Sequence, residues 1–153
     1  MSEQPSAKRE LMAEEEQRWS ELHALVDSLP EGEVDKPGYF AEGWSAKDLV
    51  AHIGSWLAEA GVVLERIRFG TYRADELDID AMNQRFHEAM RDVPFRTIRT
   101  QASAARARML SAWGAVDDGL PEADRWIRKA GPDHYAEHLP RLRDWADELT
   151  ASS

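Results

Sequence analysis

WSAKDLVAHIGSWLAEAGVVLERI, residues 44–67, opens on a helix start signal and then keeps helical period without a gap. Ser45 reads as an N-cap, Asp48 three residues on as the acid of a capping box, and Trp44 stands just outside the cap, placed to staple against Leu49. From there Leu49, His52, Ile53, Trp56, Ala60, Val63, Leu64 and Ile67 recur at steps of three and four, the apolar stripe of a helix that faces a core. His52 occupies a place on that stripe where leucine would be ordinary, so the pattern points an imidazole inward. Gly70 ends the segment.

Outward from this helix the rest of the chain is also helical. A first helix is predicted over 6–29, with Leu11, Trp19, Leu22, Val26 and Leu29 on its stripe, and Pro30, Gly32, Pro37 and Gly38 break it. After Gly70 comes a connector as far as Pro94, far longer than a tight helix–helix turn, with a short helix expected around 79–90. A third long helix begins near Phe95, where Ile98, Ala102, Ala105, Met109, Ala112 and Val116 make a near-heptad stripe of small residues, as well suited to a second copy of the chain as to a core. A fourth carries Trp126, Ile127, Ala130, His134, His138, Leu142, Trp145 and Leu149, and Gly131, Pro132 and Pro140 should bend or interrupt it. No strand signal appears. The fold class is all-α, a four-helix bundle; one long connection between the second and third helices implies an up-down-down-up order. Residues 1–5 are expected to be a disordered N-terminus and 6–150 a single domain.

Composition narrows the chemistry. The 153 residues contain no cysteine, which removes disulfides, thiolate metal sites and cysteine nucleophiles and leaves histidine and carboxylate as the strong ligands. A formal charge of −10 argues against a nucleic-acid surface. No apolar run reaches the length of a membrane span and no signal core opens the chain, so the expectations are a cytoplasmic protein with a small-molecule substrate, no nucleic acid and no membrane partner.

His134 and His138, four residues apart on one predicted helix, project from one face, and His52 lies at a compatible level of a different helix. A lone histidine on an apolar face is ordinarily a hydrogen-bonded core residue; three at one level also fit a metal site with an open coordination position, and spacing leaves both readings standing. Glu137 completes a formal H-x-x-E-H match to inverted zinc peptidases, but no further carboxylate ligand is legible, so it reads as a solvent-facing residue or a general base. Tyr135 is a weaker candidate for proton handling. Trp19, Trp56, Trp113, Trp126 and Trp145 fall at or near core spacing and read as packing ahead of a ligand box. Asp78, Asp80 and Asn83 read as loop caps, with a pocket mouth as the alternative, and His23 and His87 as surface or connector residues.

The stretch from Trp44 to His52, the Asp78-x-Asp80-x-x-Asn83 connector and His134-Tyr135-Ala136-Glu137-His138, in this order and spacing, resemble the DinB-like superfamily, in the branch similar to the N-terminal domain of mycothiol-dependent maleylpyruvate isomerase. The resemblance implies the same bundle, with His52, His134 and His138 as ligands of a divalent metal, zinc or nickel. It also implies a thiol-dependent S-transferase or isomerase that works with a low-molecular-weight thiol such as mycothiol or bacillithiol on electrophilic small molecules, in detoxification. A non-catalytic ligand-binding or stress-response bundle, its metal structural or absent, is the alternative.

Overall fold

The computed structural model describes residues 7–38, 40, 42–74, 76–117 and 119–151. The five N-terminal residues expected to be disordered lie outside the described residues. Six helices follow in order: α1 (Ala7–Ser28), α2 (Ala46–Arg68), α3 (Ile79–Met90), α4 (Phe95–Ala115), α5 (Pro121–Ala130) and α6 (Pro132–Ala151), with no strand among the described residues. The molecule is a helical bundle.

The capping box that starts α2 is fully formed. The Asp48 amide donates to the Ser45 hydroxyl and the Ser45 amide to the Asp48 carboxylate, both at 3.1 Å. Leu49, Ile53, Leu57, Ala60 and Leu64 of this helix are buried, and α2 packs chiefly against α4. Small residues set that contact: a Cβ on Gly54 would stand 2.9 Å from the Ala102 Cβ, so the two backbones approach as closely as glycine permits. The stripe of Ala102, Met109 and Ala112 is thus buried in the core beneath α2 and is not open to a second copy.

The predicted fourth helix is two helices. Gly131 ends α5, and there a side chain would meet the Ile127 carbonyl at 2.8 Å. Pro132, which needs no amide partner, begins α6. Pro140 sits inside α6 without ending it.

One polar group is buried where apolar residues were expected. Glu15 is 1% exposed; its carboxylate accepts both Arg106 nitrogens, at 2.7 and 2.6 Å, and the Tyr135 hydroxyl at 3.0 Å. A charge so far from water is tolerable when a bidentate guanidinium and a third donor satisfy it. The network joins α1, α4 and α6, and Arg18 adds a hydrogen bond to the Pro132 carbonyl at 2.9 Å. The first helix thereby holds the α5–α6 junction in place.

A candidate metal centre at the floor of an aromatic cavity

His52 comes from the second turn of α2, and His134 and His138 from the first two turns of α6. One nitrogen from each of the three lies within 4.8 Å of the others. His52 Nε2 and His134 Nε2 are 3.0 Å apart, close to the roughly 3.3 Å that two imidazole nitrogens show when they share a tetrahedral ion at about 2.0–2.1 Å. The break at Gly131 and Pro132 therefore leaves His134 facing its partner helix.

The rings are kept neutral. Burial lowers His52 to about 4, with His138 nearby adding to the shift. His134 is lowered to about 3 by burial and then by His52 and His138, the Ala130 backbone pulling weakly the other way. His138 is also lowered by burial, partly offset by Glu137 and Glu42. Neutral imidazole is the form that binds metal, so the environment removes protons that would compete with an ion. His52 Nδ1, His134 Nδ1 and His138 Nε2 are buried without a hydrogen-bond partner. Of the nitrogens near the trio's centre, His138 Nε2 has no hydrogen-bond partner and His52 Nε2 and His134 Nε2 have only each other, so an ion would give buried nitrogens a partner that the side chains alone do not supply. The residues fit a divalent metal.

The trio opens onto a cavity of about 650 Å³, whose walls include Trp44, Trp56, Trp126 and Tyr72. The Trp44 ring lies 4.7 Å from that of His52, and 6.1 Å from that of His87, on which it stacks. Trp56 donates its indole N–H to Asn83 at 2.7 Å, and Trp126 donates to the Tyr72 hydroxyl at 3.2 Å. Asp78 caps α3 through the Ala81 amide, whereas Asp80 and Asn83 line the cavity. Of the tryptophans assigned to packing, Trp113 and Trp145 are core residues, while Trp56 and Trp126 are half-buried cavity walls. A half-buried indole and a buried one share the same helical spacing, so periodicity could not separate them.

Glu137 lines the cavity beside His138. Tyr135 does not. One residue on from His134, it is rotated about 100° around the helix and is wholly buried against Glu15 and Trp19, where burial, then Glu15, raises its pKa well above the ordinary value. Proton handling at the imidazoles is therefore out of its reach as placed. His23 is not a surface residue either: half-buried against Trp19, its pKa is lowered to about 4, chiefly by burial. Glu15 is the functional neighbour that the apolar pattern passes over, although Leu11, Glu15, Trp19 and Leu22 share one stripe spacing.

No helix among the described residues is long and apolar enough to cross a membrane. No curated protein matches the sequence. Two solved structures share the fold. One is an uncharacterised protein from Escherichia coli UTI89, with a TM-score of 0.80 and 19% identity over 95% of this chain and 96% of that one. The other is the colibactin self-resistance protein ClbS in complex with a dsDNA, with a TM-score of 0.77 and 15% identity over 92% of this chain and 95% of that one. The second corrects an expectation. A protein of this fold has been captured on duplex DNA, so the exclusion of nucleic acid drawn from net charge does not hold: total charge does not fix what one local surface binds. The family model for the mycothiol maleylpyruvate isomerase N-terminal domain matches residues 16–151, and the chain belongs to that family.

Proposed function

We propose that this protein is a metal-dependent enzyme in which His52, His134 and His138 hold a divalent zinc or nickel ion and a low-molecular-weight thiol, mycothiol or bacillithiol, is the co-substrate. The observation that carries this reading is three neutral imidazoles, one nitrogen of each within 4.8 Å of the others, converging at the floor of a cavity large enough for a small molecule. A divalent ion there lowers the pKa of a bound thiol or water, supplying a nucleophile near neutral pH. The chain has no thiol of its own, so thiol chemistry would use one from outside. Trp44 packs against His52, and the indole walls give a ligand apolar surface beside the imidazoles. Glu137 is placed to accept a proton from an incoming thiol or water. The reaction we infer is S-transfer to, or isomerisation of, an electrophilic small molecule, with detoxification as its role. In this reading the four long members α1, α2, α4 and α5–α6 run up-down-down-up, and α3 lies in the crossover between α2 and α4.

The test is metal content per chain in protein purified without a polyhistidine tag, compared with the double variant His134→Ala/His138→Ala. We expect near-stoichiometric metal in the wild type, none in the variant, and an unchanged helical circular dichroism spectrum. Thiol consumption with an electrophile should then require the metal-loaded wild type. Wild type that takes up neither zinc nor nickel on incubation overturns the reading in favour of a non-catalytic ligand-binding bundle.

A further inference from the structure

The α5 side of the cavity gathers two hydrogen-bond donors that no acceptor among the described residues uses. The Trp126 indole donates to the Tyr72 hydroxyl oxygen at 3.2 Å, which commits a lone pair of that oxygen and leaves its own O–H to find another acceptor; none is present among the described residues. Three residues on from Trp126, on the same face of α5, Lys129 also lines the cavity, and it has no carboxylate partner among the described residues. The neighbouring cations are engaged: Arg125 with Glu122, and Arg128 with Glu14 and Asp133. One ammonium and one neutral hydroxyl match a group that carries one negative charge and two acceptor oxygens. Glu42, Asp80 and Glu137 line the remaining wall and oppose anything more negative.

We propose that Tyr72 and Lys129 form a carboxylate-binding subsite, and that the small molecule taken up beside the imidazoles is a monocarboxylate whose flat apolar body lies among Trp44, Trp56 and Trp126. The subsite rests on the cavity being the ligand site of the proposed enzyme. It adds the class of ligand and the two residues that hold it, each of which acts by touching the ligand.

The experiment measures binding of trans-cinnamate and of its uncharged isostere cinnamamide to the full chain, by quenching of tryptophan fluorescence, on metal-free and on zinc-treated protein. In metal-free wild type we expect cinnamate to bind about tenfold tighter than the amide, the discrimination that one charge-assisted contact supports. Lys129→Met should bring the two probes level with little change for the amide. Tyr72→Phe should weaken both probes about threefold, the share of one neutral hydrogen bond that the amide carbonyl also accepts, and Arg125→Met should leave the gap unchanged. A preference that survives Lys129→Met, or no cinnamate binding at all, overturns the subsite. If the preference appears only after zinc treatment and survives Lys129→Met, the carboxylate goes to the ion, and the subsite fails while the proposed enzyme stands. If the protein takes up no zinc and the metal-free preference follows Lys129, the subsite stands and the proposed enzyme fails.

Discussion

At His134, burial and two neighbouring imidazoles act in the same direction, and the cost of keeping the ring neutral appears as a pH dependence of stability. The ordinary histidine value of 6.5 applies to the unfolded chain, while the folded values are about 4 for His52 and about 3 for His134. Between these limits the unfolded chain binds protons that the folded chain refuses, so stability is complete above pH 6.5 and falls as the pH is lowered, by about 1.4 kcal/mol per pH unit for each histidine fully affected. The metal-free protein should therefore show a lower urea midpoint at pH 5 than at pH 7, above the range in which most carboxylates take up protons. His134→Ala removes one of these groups and should flatten the slope. An equal slope in the variant would mean that His134 is not held neutral by its surroundings.

Between helices, the α2–α4 contact decides where His52 stands. Gly54 and Gly61 both face α4, but a Cβ would stand 2.9 Å from the Ala102 Cβ and 3.1 Å from its Cα at the first position, and 3.6 Å from the Met109 backbone at the second. Gly54→Ala must force the helices apart and should cost about 1 kcal/mol or more, overpacking outweighing the gain in helix propensity. Gly61→Ala meets only ordinary contact and should be neutral or stabilising by up to about 1 kcal/mol. Urea unfolding of the two variants tests the contrast, and equal losses would refute a close approach confined to Gly54. Elements of this kind were legible wherever a local signal existed. The Ser45–Asp48 capping box, the start at Phe95, the short helix at 79–90 and the Gly131–Pro132 break each follow from residues adjacent in the chain. The histidine trio was legible because helical spacing and apolar stripes place side chains on faces. The Glu15 network and the cavity roles of Trp56, Trp126 and Tyr72 were not, since they depend on which helix lies opposite, and that is settled by packing across the whole molecule.

For the whole molecule, the candidate site ties together parts distant in the chain: α2 supplies one imidazole, α6 two, and α1 fixes the start of α6 through Arg18 and Glu15. An ion held by these three rings binds the folded chain and has no comparable site in the unfolded one, so it must stabilise the bundle by mass action. At a free concentration about a thousandfold above its dissociation constant, zinc should add about 4 kcal/mol. For a chain of 153 residues this corresponds to a rise in Tm of about 10 °C. A chelator should reverse the rise, and His52→Ala, which leaves α6 its two histidines but removes the link to α2, should lose most of it while remaining helical. The size of the loss separates two arrangements. If zinc stabilised wild type and His52→Ala equally, the ion would sit on α6 alone, and the convergence of the two helices would be a matter of packing. A rise confined to the wild type would mean that the ion clamps α2 to α6, which couples occupancy of the site to the shape of the cavity above it.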